Sequence, residues 1–178
     1  DLKTPLSSLA ATARKELENS VDKDGAAKAL NGYCAGVVME LIKSVGTVKT
    51  VMTEQEAAQV KAKIQRAQAA YGNLSDDQKK LVTNYAALQA ADTAYKTYEQ
   101  NYAAAKTVME LIKSIGKVNE VMTRTEADAV KKKLQTAQDA YNKLTADQKQ
   151  MVTNYADRHS RRLIRQTRIR ISWVWIWI

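Results

Sequence analysis

The feature of this sequence that most limits its fold is an internal repeat. The segment VMELIKSVGTVKTVMTEQEAAQVKAKIQRAQAAYGNLSDDQKKLVTNYA, from Val38 to Ala86, returns from Val108 to Ala156 as VMELIKSIGKVNEVMTRTEADAVKKKLQTAQDAYNKLTADQKQMVTNYA. The offset is 70 residues, and 31 of 49 positions are identical. Such identity at a fixed spacing indicates a duplicated supersecondary unit. We therefore expect both copies to fold in the same way.

The apolar spacing within each copy predicts helices. Apolar residues recur at intervals of three and four, and alternation with a period of two is absent. The middle segments carry the stripes Ala57, Val60, Ile64, Ala67, Tyr71 and Ala127, Val130, Leu134, Ala137, Tyr141. In the first copy, the preceding helix is expected to turn inward Val38, Leu41, Ile42 and Val45, and the following helix Leu81, Val82, Tyr85 and Leu88. Each copy is thus predicted to form three helices.

Start and stop signals support this division. The segments Thr53–Glu56 and Thr123–Glu126 have the form of capping boxes, and Ser75–Gln78 and Thr145–Gln148 repeat the device for the next helix. Gly46 and Gly116 follow LIKSV and LIKSI, where a residue with positive φ would end the preceding helix. With a composition rich in Ala, Lys, Gln and Leu, these signals predict an all-α fold.

The connection between the copies predicts a long helix. Neither Gly nor Pro occurs between Gly72 and Gly116, so the third helix of the first copy is expected to run into the first helix of the second, over about 38 residues or roughly 57 Å. The expected architecture is two tandem three-helix bundle repeats joined by this long shared helix, forming an elongated rod. A kink near Thr93–Gln100 is the alternative, and it would let the bundles fold against each other.

Five segments follow from these patterns. Residues 1–25 form an N-terminal helix or cap, residues 26–86 the first repeat, 87–107 the connecting helix, 108–157 the second repeat and 158–178 a basic, Trp-rich tail. The first helix is expected to start at Thr4-Pro5 and to carry an apolar edge of Leu6, Leu9, Ala13 and Leu17. Because the chain opens with Asp1 and carries no leader pattern, we expect a processed product or an excised fragment.

The composition disfavours an enzyme. The single cysteine, Cys34, and the single histidine, His159, lie far apart in sequence, and no phosphate-binding glycine motif or metal-ligand pattern is present. Carboxylates occur where solvated helix faces and first turns require them. No stretch reaches the roughly 18 apolar residues that span a bilayer. We therefore expect no catalytic residue, no metal and no cofactor.

One motif resembles a known group of repeats. The pattern A-Y-x-x-L-[ST]-x-D-Q-K-x-[LM]-V-T-N-Y-A occurs at Ala70–Ala86 and Ala140–Ala156, preceded in each copy by L-I-x-x-[IV]-G-x-V. It is similar to helical tandem repeats of cell-surface and S-layer-associated proteins of Gram-positive bacteria. The resemblance implies a spacer or adhesin-stalk module outside the cell, between adhesive, carbohydrate-active or anchoring domains. The implied partners are those other domains and a host or envelope component, and no catalytic residue is carried over.

The tail has a different composition from the rest of the chain. The formal net charge is +9, but residues 158–178 contain six arginines and no carboxylate, so the remainder is close to balanced. Three interpretations stay open: a foreign or shifted-frame segment, an element that contacts a membrane surface, or a segment that binds nucleic acid. The contact residues would be Arg161, Arg162, Arg165, Arg168, Arg170, Trp173, Trp175 and Trp177. Alternation in RIRISWVWIWI favours a strand, which could pair with another chain and cause self-association.

Overall fold

The computed structural model describes residues 2–19, 23–116 and 122–155. These ranges contain no strand, so the all-α class is confirmed for them. Their helices are α1 (Lys3–Glu18), α2 (Lys23–Val45), α3 (Glu54–Gly72), α4 (Asp76–Lys80), α5 (Tyr85–Ile115), α6 (Arg124–Asn142) and α7 (Ala146–Met151). The chain divides into two compact units, Asp1–Thr97 and Tyr98–Ile178, and the boundary falls within α5.

Unit 1, Asp1–Thr97, is a helical bundle in which α2 packs against α1, α3 and α4. The four residues that we expected α2 to turn inward are all buried: Val38, Leu41, Ile42 and Val45. On α3, which α2 contacts, Ala57, Ile64 and Ala67 of the stripe are buried, and Leu88 in the first part of α5 is buried as well. The spacing of three and four therefore identified the face on which the helices of this unit meet.

Unit 2, Tyr98–Ile178, contains the second part of α5 together with α6 and α7. Its buried residues in the described ranges are Tyr98, Ala105, Val108, Ala137, Met151 and Val152. On α6, Val130, Leu134 and Tyr141 are half-buried. Ala127, expected to face inward, is exposed, whereas its counterpart Ala57 in unit 1 is buried.

The capping signals are confirmed at all four predicted positions. At α3, the Thr53 backbone N–H donates to Glu56 Oε2 at 2.8 Å, and the Glu56 backbone N–H donates to Thr53 Oγ1 at 3.2 Å. Reciprocal pairs of the same kind start α4, α6 and α7. Gly46 and Gly116 have φ of 69° and 71° and directly follow the last residues of α2 and α5. Helix boundaries set by local chemistry were thus predictable from sequence.

The expected third helix of the first copy is interrupted, which corrects the prediction. We expected one helix from Ser75 onward, but α4 ends at Lys80 and α5 begins at Tyr85. Between them the side chains of Thr83 and Asn84 bond to Met39 on α2, so a tertiary contact replaces helical geometry there. From Tyr85, α5 runs for 31 residues without interruption, including residues 93–100, and is about 46 Å long.

The interruption also changes which side chains face the core. Leu81, expected to point inward, is 44% exposed, whereas its neighbour Val82 is buried. The prediction for Val82 is therefore confirmed and that for Leu81 is wrong, because helical periodicity does not apply across residues 81–84.

Helix α1 packs on α2 through a glycine. A Cβ added at Gly36 would lie 2.9 Å from Cδ2 of Leu9, so the absence of a side chain allows this close approach. α1 begins at Lys3, one residue before the predicted start, and contains no buried residue. Leu17, expected on the apolar edge, is 51% exposed. α1 is therefore the least buried of the longer helices.

Candidate functional site: a polar clamp in each unit

A set of side-chain contacts recurs in the described residues of both units. We call it the clamp. It joins two positions on the first helix of the repeat to one position in α4 or α7 and to two positions in the segment that directly follows that helix. Its members are Asn31, Met39, Gln78, Thr83 and Asn84 in unit 1, and Asn101, Met109, Gln148, Thr153 and Asn154 in unit 2.

The glutamine of the clamp has two roles. Gln78 Oε1 accepts a hydrogen bond from the Ser75 backbone N–H at 3.0 Å and so completes the capping box of α4. Its Nε2 donates to Asn31 Oδ1 on α2 at 3.1 Å. In unit 2 the corresponding distances are 2.9 Å from Thr145 N to Gln148 Oε1 and 2.9 Å from Gln148 Nε2 to Asn101 Oδ1. Each of these glutamines therefore caps the start of a short helix, α4 or α7, and links it by a hydrogen bond to a longer helix, α2 or α5.

The methionine of the clamp receives two contacts from the interruption. Asn84 Nδ2 donates to the Met39 backbone carbonyl at 3.0 Å, and Thr83 Oγ1 lies 3.4 Å from Met39 Sδ. The corresponding distances at Met109 in unit 2 are 2.9 and 3.4 Å. Because these contacts hold the chain against a helix 44 and 45 residues earlier, they explain why the interruption between α4 and α5 is stable. The equivalent contacts hold Thr153 and Asn154 against Met109 in unit 2.

A pair of stacked tyrosines accompanies each clamp. The rings of Tyr71 and Tyr85 are 3.9 Å apart with an interplanar angle of 16°, and Lys79 Nζ lies 5.9 Å from the centroid of Tyr71. The rings of Tyr141 and Tyr155 are 3.6 Å apart at 2°. Ring faces that contact each other are closed to a sugar or a base, and such contacts between aromatic rings and cations are stabilising. In unit 1 the pair therefore joins the last turn of α3 to the first residue of α5, and in unit 2 it joins the last turn of α6 to the segment after α7.

Four carboxylates have a lowered pKa, which favours their charged form. The backbone N–H of Thr53, followed by Lys49 and the Thr53 hydroxyl, lowers the pKa of Glu56 to about 2. The pKa of Glu126 is lowered by the equivalent cap, and those of Asp77 and Asp92 are lowered chiefly by hydrogen bonds from Lys80 and Lys96. A general acid at neutral pH requires the opposite direction. These four groups are therefore suited to capping and surface pairing.

The described residues contain neither a candidate metal site nor a helix that could cross a membrane. Within residues 2–19, 23–116 and 122–155, no group of three or more His, Cys, Asp and Glu side chains converges in a way that could hold a metal ion. None of the helices in these ranges combines the length and apolarity that a bilayer-spanning helix needs. Cys34 is half-buried on α2.

The contact residues predicted in the tail lie outside the described ranges. These are Arg161, Arg162, Arg165, Arg168, Arg170, Trp173, Trp175 and Trp177. Conversely, the clamp was not predicted: Gln78 and Gln148 were expected only as parts of capping boxes. The available signal was the recurrence of polar Asn and Gln at an offset of 70 residues, at positions where a helix face needs no specific polar group.

Comparison with known proteins gives no further assignment. No protein-family model, curated protein or solved structure matches the chain.

Proposed function

We propose that this chain is a non-catalytic structural spacer or adhesin-stalk module of a bacterial surface protein and acts outside the cell. The observation that supports this most is the recurrence of the clamp in both units with nearly equal distances. The side-chain N–H groups of its glutamine and of Asn84 or Asn154 donate to other parts of the same unit, and such internal bonds suit a module whose task is to stay folded. Its partners would be other domains of the surface protein and a host or envelope component.

The proposed architecture is two tandem three-helix bundles that share α5. Two features support it. The equivalent contacts occur within each unit, and α5 supplies residues to both units as one uninterrupted helix of 31 residues. A continuous helix keeps its backbone hydrogen bonds along its length and bends only gently.

A distance measurement between the units tests the proposal. Ala62 on α3 and Lys132 on α6 are exposed and occupy equivalent positions, so both can be replaced by cysteine and spin-labelled in a Cys34→Ser background. We expect one narrow distance distribution by pulsed electron paramagnetic resonance. As a control, Thr97→Pro should broaden it, because proline removes a hydrogen bond and interrupts α5. A distribution already broad in the unmodified helix would contradict a spacer role.

The tail supports a second candidate function. Residues 158–178 combine six arginines and three tryptophans with no carboxylate. Arginine attracts anionic headgroups and phosphates, and tryptophan partitions to membrane interfaces or stacks on bases. The alternative is therefore a binding module that contacts a membrane surface or nucleic acid through the tail, or associates with itself through it. Removal of the tail, described below, distinguishes this function from the spacer role.

A further inference from the structure

The five methionines of the chain differ in how easily a solvent oxidant can reach them. Met52 and Met151 are buried, at 8% and 4% exposure. Met39, Met109 and Met122 are half-buried. Because methionine oxidation requires access of the oxidant to sulfur, the last three are the accessible ones. Two of these, Met39 and Met109, are equivalent residues of the repeat.

The sulfur atoms of Met39 and Met109 occupy the same chemical setting. Each lies 3.4 Å from a threonine hydroxyl oxygen, that of Thr83 in unit 1 and of Thr153 in unit 2, and both threonines are exposed. The backbone carbonyl of the same methionine accepts the asparagine of the clamp. Chemistry at either sulfur would therefore act directly on the contact that holds the interruption against its helix.

We propose that Met39 and Met109 form a matched pair of oxidation sites, at which a peroxide loosens both units in the same way. The sulfur lone pair attacks one oxygen of hydrogen peroxide. The S–O bond forms as the O–O bond breaks, and the proton on the transferred oxygen passes to the departing hydroxide, which leaves as water. The thioether is thereby oxidised to the sulfoxide while the peroxide is reduced. This inference does not depend on the spacer role.

The geometry indicates the consequence of oxidation. The 3.4 Å between Met39 Sδ and Thr83 Oγ1 is a direct contact, so an oxygen added on that side has to displace the threonine. An oxygen added on the other side brings a polar group into a half-buried position of an apolar side chain. Either product weakens the clamp. Enzymatic reduction of the sulfoxide would restore it, so the change is reversible.

The test treats the full chain with dilute hydrogen peroxide and maps the products by mass spectrometry. We expect Met39 and Met109 to be oxidised several-fold faster than Met52 and Met151, with the thermal midpoint of unfolding falling by roughly 4 °C or more. The double variant Met39→Leu, Met109→Leu should keep its midpoint after the same treatment. Leucine is used because it is close to methionine in volume, so the variant is expected to fold.

Met122→Leu is the matched control, because Met122 is also half-buried but is not part of the clamp. This variant should lose stability on oxidation as the unmodified chain does. Three results would overturn the proposal: equal oxidation rates at Met39 and Met52, complete oxidation of Met39 and Met109 with an unchanged midpoint, or protection by Met122→Leu.

Discussion

Replacing Leu88 by alanine should destabilise unit 1 strongly. Leu88 lies on α5 and is 1% exposed, and it is one of the two largest fully buried side chains in the described ranges. The substitution deletes three carbon atoms, which removes about 2.4 kcal/mol of transfer free energy at about 0.8 kcal/mol per group. The cavity left behind raises the expected loss to roughly 3–4 kcal/mol. A domain of this size has about 5–15 kcal/mol in total.

Leu81 provides a control with the same chemistry. It is 44% exposed and lies seven residues earlier in the chain, so Leu81→Ala leaves no cavity and should change stability by about 0.5 kcal/mol or less. Urea unfolding followed by circular dichroism at the helix band measures both variants. We expect Leu88→Ala to lower the midpoint by roughly 1–3 M and Leu81→Ala to leave it nearly unchanged. Equal midpoints for the two variants would refute the assignment of Leu88 to the core.

Three further predictions concern other parts of the chain. Gly32→Ala should stabilise α2 by up to about 1 kcal/mol because an added Cβ meets no atom within 4 Å. Gly36→Ala should increase stability less than Gly32→Ala, because the added Cβ has to displace the Leu9 side chain, and amide hydrogen exchange in α1 should then become faster. Equal gains in stability for the two variants would contradict the packing of α1 on α2. The capping bonds lower the pKa of Glu56 from 4.5 to about 2, so its contribution to stability is present above pH 4.5 and is lost as the pH falls toward 2. Glu56→Gln should remove this pH dependence of stability in urea titrations. Identical stability-versus-pH profiles for the variant and the unmodified chain would refute the prediction. Removing residues 158–178 should abolish any binding to anionic vesicles or nucleic acid while leaving the urea midpoint of unit 1 unchanged, and retained binding would exclude the tail as the contact.

The helices themselves were predictable because their signals are local. A capping box brings together residues three positions apart, and a positive φ at Gly46 or Gly116 is a property of one residue. The stripe on α3 likewise needs only a regular helix to align its members, and its buried positions were found correctly. The sequence-based predictions were least accurate across residues 81–84, where the regular helix is interrupted.

The interruption between α4 and α5 was missed because its cause is not local. No glycine or proline marks residues 81–84, and Asn and Thr are tolerated in many helices. Only the proximity of Met39, more than 40 residues earlier, gives Thr83 and Asn84 the partners that compensate for lost helical bonds. For the same reason, the exposure of Leu81 could not be inferred from spacing, although the burial of Val82 was predicted correctly.

The helical class of the described residues and the ends of most of their helices follow from residues close together in the chain, and the internal repeat is visible in the sequence itself. The pairing of the clamp's polar residues, the interruption between α4 and α5 and the exposure of each methionine follow from the packing of helices. Those outcomes depend on contacts between helices, whose free energies are gained only when distant segments meet.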